Sequence, residues 1–404
     1  KTIEKEFEVF NKSGGGGTYQ VRSLVELDAE TDGVNYFNYI DGAHGVSTFT
    51  IGDSTYAIIP SMSDKAVQII DITVPTNMVA KDFGKDAGGS PLFRELLGAN
   101  EVDTFTIGAS TYAIVVAYTD DGVQMIDISD PTDITATDDQ DDGDSGGFNE
   151  LDGARDVETF TIGASTYAIV VSKVDDGVQI LNITDPTDIT ATDDQDDGDA
   201  GGFDELDGAN GVSIFTIDSS TYAIVASKDD NGVQILNITD PTTITATDAE
   251  TDGVNGFTQL KGASSVDTFT IGDSTYAIVV SMTDDGATTI DISDPTSIVA
   301  LDAETDGVNG FTELESAEDV DTFTCGSKHY AISVSSVDDG VQLIDITDPT
   351  NILAVDAETD GVNGFDLLEG SYNVEAFKID NKQYALVASY TDKSVTMIEM
   401  SCSK

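Results

Sequence analysis

Oxygen-bearing side chains at alternate positions, closed by a glycine, recur six times along this chain. Four stretches read DAETDG and supply Asp28, Glu30 and Asp32; Asp248, Glu250 and Asp252; Asp302, Glu304 and Asp306; and Asp356, Glu358 and Asp360. Two read DDQDDG and supply Asp138, Gln140 and Asp142, then Asp193, Gln195 and Asp197. Hard oxygen ligands at positions 1, 3 and 5, with a glycine at 6 for the sharp turn, are how a short loop begins to wrap Ca²⁺. The acid of position 12 is present as Glu313 after Asp302 and as Asp204 after Asp193, whereas Gln259 follows Asp248. These are the candidate metal ligands, with Ca²⁺ as the cofactor. The same carboxylates also suit a solvated acidic turn that fixes no ion.

Other chemistry is sparse. His44 and His329 fall at different places in the repeats described below, and neither comes with a Ser-His-Asp or Cys-His arrangement. Carboxylates are plentiful but occur in copies, whereas an active site breaks symmetry, so no catalysis is expected. Differences between copies gather at one place: His44; Asn100 and Glu101; Arg155 and Asp156; Asn210; Ser264 and Ser265; Glu318 and Asp319; Tyr372 and Asn373.

The element that positions all of these is the stretch from Ser165 to Thr187, STYAIVVSKVDDGVQILNITDPT. Near copies place Tyr56, Tyr112, Tyr167, Tyr222, Tyr276, Tyr330 and Tyr384 at intervals of 54 to 56 residues, which makes seven units. Within a unit, β-branched and aromatic runs are cut by Asp-Gly and Asp-Pro, with no helical period. In the third unit the strands are expected at Val157–Ile162, Tyr167–Ser172 and Val178–Ile183, with a fourth around Ile189–Thr192. The DDQDDG stretch then reads as a long acidic loop. Four short antiparallel strands at a fixed period define a propeller blade. The variable positions listed above then ring one mouth of a central channel.

The last unit has three strands, ending near Met400. The missing fourth stands at the start of the chain, because Ser23–Gly33 (SLVELDAETDG) matches Ser297–Gly307 (SIVALDAETDG). Placed on the outer edge of the last blade, Leu24–Leu27 closes a seven-bladed, all-β ring. Residues 18–404 are thus one propeller.

The core text, Tyr-Ala-Ile-Val-Val followed by Asp-Gly-Val-Gln-Ile-Leu-Asn-Ile-Thr-Asp-Pro-Thr, resembles the LVIVD-repeat proteins of bacterial and archaeal cell surfaces. The resemblance runs from Gly42 to Met400. It implies a propeller at a surface and names no activity, and these units are longer than the family's usual repeat.

Composition narrows the partners. With 76 acidic against 17 basic residues the formal net charge is −59, which repels nucleic acid and anionic membranes. Screening by salt or bound divalent cations is needed to keep such a ring compact. No apolar run is long enough to cross a bilayer. A first residue Lys1 fits removal of a signal peptide or a trimmed chain, and sequons at Asn11, Asn182 and Asn237 agree with export. Cys325 closes a first strand where Ile stands elsewhere, and Cys402 follows a third strand one unit on. Both therefore belong to the same face of adjacent blades, where a disulfide is possible.

Residues 1–17 lie outside the repeat. Thr2–Phe10 alternates Ile3, Phe7 and Val9 on one face, and Asn11–Gly17 is a Gly-rich tether able to span about 23 Å. A strand without a vacancy in its own ring suits donation to the edge of a neighbouring subunit. The expectation is therefore an extracellular structural protein, a calcium-stabilised subunit of a coat, sheath or filament that homo-polymerises through this arm. The alternative is a secreted propeller that binds a glycan, protein or small molecule at the channel mouth.

Overall fold

The computed structural model describes residues 19–86 and 93–403, so the arm with Ile3, Phe7, Val9 and Asn11 lies outside the described residues. Twenty-eight strands form seven antiparallel sheets of four, with no helix among the described residues. We number the blades from the sheet that begins at Ser47. In the third, the strands are Ala154–Ile162, Ser165–Ser172, Gly177–Asn182 and Thr190–Asp196.

The inner strands read as unbroken apolar runs because both faces are covered. Ala168, Ile169, Val170 and Val171 are all fully buried, as are Val178, Ile180 and Leu181. One face packs on the preceding blade and the other on the following one. A single apolar cluster thus joins Phe105, Ile114 and Met125 of the second blade to Phe148, Leu151, Val157 and Leu181 of the third. Six further clusters repeat the arrangement around the ring. The repeated Tyr packs on the Phe paired with it across the first hairpin, as with Phe160 and Tyr167 at 5.5 Å between ring centroids.

The acidic stretch corrects the expected boundaries. The fourth strand of the third blade runs on to Asp196, and that of the second blade from Thr135 to Asp141, so Asp138–Asp141 is strand where a loop was expected. Thr-Ala-Thr-Asp alternation continues the pairing, and on an outermost strand charged side chains reach water without cost while blunting the exposed edge.

The first Asp of each such stretch reaches across to the next blade. The Asp138 carboxylate accepts from Ile189 N at 2.7 Å, Asp193 from Ile244 N at 2.7 Å, Asp248 from Ile298 N at 2.7 Å and Asp302 from Ile352 N at 2.8 Å. Asp82, whose loop otherwise lacks the motif, does the same for Ile134 N at 2.8 Å.

Ring closure follows the expected register, with Leu24 opposite Met400 and Glu26 opposite Ile398 in a strand that spans Gln20–Thr31. Both interblade clamps continue through it. Asp356 of the sixth blade accepts from Leu24 N at 2.8 Å, and Asp28 accepts from Met78 N of the first blade at 2.6 Å. A disulfide joins Cys325 at the end of the sixth blade's innermost strand to Cys402 in the seventh blade.

Candidate functional site

The innermost strands line a central channel, and the positions that differ between repeats meet at one end of it. His44, Asn100, Glu101, Arg155, Asp156, Asn210, Ser264, Ser265, Glu318, Asp319, Tyr372 and Asn373 all line one narrow tier, together with Gly211, enclosing about 60 Å³. Side chains there bond from blade to blade. Asn100 Nδ2 donates to the Arg155 carbonyl at 2.6 Å, Arg155 Nε to Asn210 Oδ1 at 3.2 Å, Asn210 Nδ2 to the Ser264 carbonyl at 2.7 Å and Ser264 Oγ to the Ala317 carbonyl at 2.6 Å. The first blade has Gly45 at its place in the tier, where a Cβ would come within 2.4 Å of Glu101 Oε1. Glu101 thereby accepts from Asn373 Nδ2 at 3.1 Å, over the gap the glycine leaves.

Outside this constriction lies a wider basin of about 370 Å³, lined by His44, Met62, Tyr118, Arg155, Lys173, Lys228, Met282, Glu318, Tyr372 and Tyr390. Met62, Tyr118, Lys173, Lys228, Met282 and Tyr390 are equivalent residues, each just past a second strand, and were not among the positions expected at the mouth. The signal was available: the text before and after that position repeats while the position itself changes. Three cations stand here against one carboxylate, Glu318, in a protein of net charge −59. Burial, then Lys173, lowers the Lys228 pKa, and burial followed by Arg155 holds that of His44 well below the usual imidazole value. His44 is 6% exposed, its ring lies 4.7 Å from that of Tyr372, and its Nδ1 has no hydrogen-bond partner.

Below the constriction the channel is acidic, with Asp103, Glu158, Asp267, Asp321 and Glu375 around about 230 Å³. These carboxyls are interblade clamps on the inner side. Glu158 accepts from Ile214 N at 2.7 Å, Asp267 from Thr322 N at 2.8 Å and Asp321 from Ala376 N at 2.6 Å. Burial raises all of them, Glu375 to about 8, and neighbouring carboxylates add to the shift of Glu158, Asp321 and Glu375, whereas hydrogen bonds oppose it at Asp103 and Asp267; burial likewise lifts Asp156, in the constriction above, to about 7.

The candidate calcium ligands do not gather loop by loop. Their first Asp clamps the next blade, as described. The third residue binds within its own turn: Glu30 accepts from Asn35, Glu250 from Asn255, Glu304 from Asn309 and Glu358 from Asn363, while Gln140 Nε2 donates to Asp138 and Gln195 Nε2 to the Asp194 carbonyl. The fifth turns toward the seam between blades. Asp32, Asp142, Asp197, Asp252, Asp306 and Asp360 each accept from a backbone N–H of the next unit, that of Ile40, Leu151, Leu206, Leu260, Leu314 and Leu368. Among the described residues no three His, Cys, Asp or Glu side chains stand ready as a metal cage.

At the seams, however, carboxylates do crowd. Between the second and third blades, Asp121 accepts from Gly153 N at 3.1 Å and Asp175 from Asp152 N at 2.7 Å. Asp142 and Asp152 lie close enough to both to raise the Asp175 pKa to about 6, after burial. Glu150 packs over Gly177 beside them with Oε2 unpartnered; it is 9% exposed, and burial and then Asp175 push its pKa to about 9. Between the fifth and sixth blades the same places hold Asp285, Asp306, Glu315 and Asp338, with Glu313 Oε2 unpartnered. The true counterpart of Glu313 in the loop from Asp193 is Glu205, which packs over Gly232 as Glu313 does over Gly340. Asp204 instead matches Thr312, both giving their N–H to a Gln of the third strand, because the DDQDDG loops are one residue longer.

At the seam between the seventh and first blades, Lys393 replaces the Asp. Its Nζ lies 2.7 Å from Asp41, with Asp32 and Asp64 near by. Asn182 and Asn237 close strand-end turns by accepting from Thr184 N and Thr239 N, both at 3.0 Å. Asp127 and Asp291 do the same in other blades.

The architecture defines a seven-bladed β-propeller. No protein-family model and no curated protein sequence matches the chain, and the LVIVD resemblance has no family match behind it. Solved structures do share the fold. A protein from Lactobacillus plantarum is similar with a TM-score of 0.58 at 14% identity, covering 78% of this chain and 84% of its own. A functionally unknown protein from Desulfotomaculum acetoxidans has a TM-score of 0.55 at 13% identity, covering 83% and 92%. A candidate 6-phosphogluconolactonase from Bacteroides fragilis has a TM-score of 0.55 at 12% identity, covering 89% and 92%. At these identities the likeness is one of fold.

Proposed function

We propose that this chain is an extracellular structural protein, a cation-stabilised propeller that serves as the subunit of a surface coat, sheath or filament. The observation that carries the reading is the crowding of carboxylates at the seams, relieved by Lys393 at one of them, by Lys65 beside Asp120 at a second and by Lys261 beside Asp284 at a third. Where the chain supplies its own cation, an amine neutralises the group. At the seam of Asp121, Asp142, Asp152, Asp175 and Glu150, and at that of Asp285, Asp306, Glu315, Asp338 and Glu313, a divalent ion from a saline exterior would fill the same role. Buried carboxylate oxygens without a partner are the donors a hard ion such as Ca²⁺ prefers. Such an ion would supply charge neutralisation, with the seam carboxylates as the groups to hold it.

The Cys325–Cys402 bond agrees with a non-reducing location, and the LVIVD-like core text supports a surface one. Near-identical blades favour scaffolding over chemistry. Assembly is assigned to residues 1–17, as a strand donated to a neighbouring subunit.

Two measurements test this. Chelation of divalent ions should lower the melting temperature of the full chain by several degrees, since an ion held at a hundred times its Kd contributes about 2.7 kcal/mol. Electron microscopy in calcium and salt should show polymers that a chain lacking residues 1–17 cannot form. Unchanged melting under chelation, together with single rings under every condition, would overturn the reading.

A further inference from the structure

We infer that the basin over the channel mouth binds a small organic anion, a carboxylate or phosphate on a sugar-sized body. The inference stands apart from the structural role and survives its failure. Lys173 and Lys228 are equivalent residues of adjacent blades, and Arg155 lies beneath them, so three positive groups share one wall of the basin of about 370 Å³. Six other described cations, Lys81, Lys85, Arg94, Lys328, Lys382 and Lys393, pair with carboxylates. No such ion pair holds these three among the described residues. In a chain of net charge −59, a local excess of positive charge inside a concave surface selects an anion.

The rest of the basin fixes what kind of anion. Tyr118, Tyr372, Tyr390, Met62 and Met282 offer apolar and aromatic surface, with the Tyr372 and Tyr390 rings 5.7 Å apart. His44 also lines the basin, and its Nδ1 is buried without a partner, a cost that a ligand hydroxyl reaching it would relieve. The constriction of about 60 Å³ stops the ligand entering the channel, and the carboxyls of Glu101, Asp156 and Asp319 in that floor keep its charge high, on the lysine wall. A bare inorganic ion would leave the aromatic side and His44 unmet, whereas a charged sugar meets both.

The test is calorimetric titration of the full chain with glucuronate, glucose and inorganic phosphate at low ionic strength. Glucuronate should bind saturably, inorganic phosphate more weakly and neutral glucose at least about tenfold more weakly, and added salt should weaken the glucuronate complex. Met is the natural residue of the same position in the first and fifth blades, so Lys173→Met with Lys228→Met leaves a foldable ring. That double variant should lose about tenfold or more in glucuronate affinity, while Lys378→Met, at the far end of an innermost strand, should lose none. Failure of glucuronate to bind, binding unchanged in the double variant, or glucose binding equally well would each overturn the inference.

Discussion

A carboxyl group that accepts a hydrogen bond inside the channel is pulled two ways: the bond favours its charge, and burial among like groups opposes it. For Glu375 burial wins and raises the pKa from 4.5 to about 8, despite the Thr48 hydroxyl 3.2 Å away. The folded state thus holds a proton that the unfolded chain has released at neutral pH. Stability from this proton is complete below about pH 4.5 and is lost as pH rises through about 8. Glu375→Gln, which keeps the acceptor and removes the titration, should raise the melting temperature at pH 8 by roughly 2 °C or more and leave it unchanged at pH 4. A variant that tracks the parent protein at both pH values would show that the channel acids titrate normally. Little of this was legible in the sequence. The channel-mouth positions stood out because they vary, but nothing in the sequence marked the acids at Asp103, Glu158, Asp267, Asp321 and Glu375, which share one space only when the strands are ringed together.

At the level of the element, the DxExDG motif divides its labour among three partners, and the sequence showed the spacing without the division. Ligands at alternate positions and alternate side chains of a strand share one period, so the pattern could not tell an ion-wrapping loop from the end of an outermost strand. Asp82 separates the two. It keeps the clamp on Ile134 N although its loop has lost the rest of the motif. Asp82→Ala and Asp193→Ala should therefore cost about the same, roughly 1.5 kcal/mol each for a charged acceptor lost from a backbone donor. Thermal melting with and without chelator checks this, and a cost for Asp193→Ala that vanishes on chelation would return the residue to an ion. The strand text itself was read correctly at its centre and missed at its ends, short of Ala154 and Asp196 but running past Asn182, because burial on both faces erases the alternation that marks where pairing stops.

For the whole molecule, the period of the repeat and the orphan strand at Ser23–Gly33 together dictated seven blades and the closure between Leu24 and Met400. Two cysteines on adjacent blades left their bond undecided until the structure joined them. The bond closes a segment of 77 residues over the last seam, so Cys402→Ser should destabilise the ring by about 4 kcal/mol. Denaturant unfolding with and without reductant measures it, and coincident curves would place the bond outside the stabilising framework. The mouth's asymmetry was half legible: the residues before each innermost strand were seen, but Lys173 and Lys228 were not, since they reach the mouth only when the second strand pairs back along the first and sets Ser172 opposite Ala154 and Ser227 opposite Ala209.

Closure by a terminal strand also gives the ring a direction of mechanical weakness. Gln20 pairs with Ser403 and Thr31 with Ser394, so tension arriving from the N-terminal side meets the strand at its free end and peels it one residue pair at a time instead of shearing all its bonds at once. The register shift between Val21 and Leu24 sets those two N–H groups to face the sixth blade, where the Tyr330 hydroxyl holds the first at 3.1 Å and Asp356 the second at 2.8 Å. Cys402, opposite Val21, is bonded back to that same blade. The Tyr330 and Asp356 contacts act as a latch near the end where a peel must start, and the disulfide fixes the strand it peels from, so the sixth blade shares with the seventh in holding the closing strand.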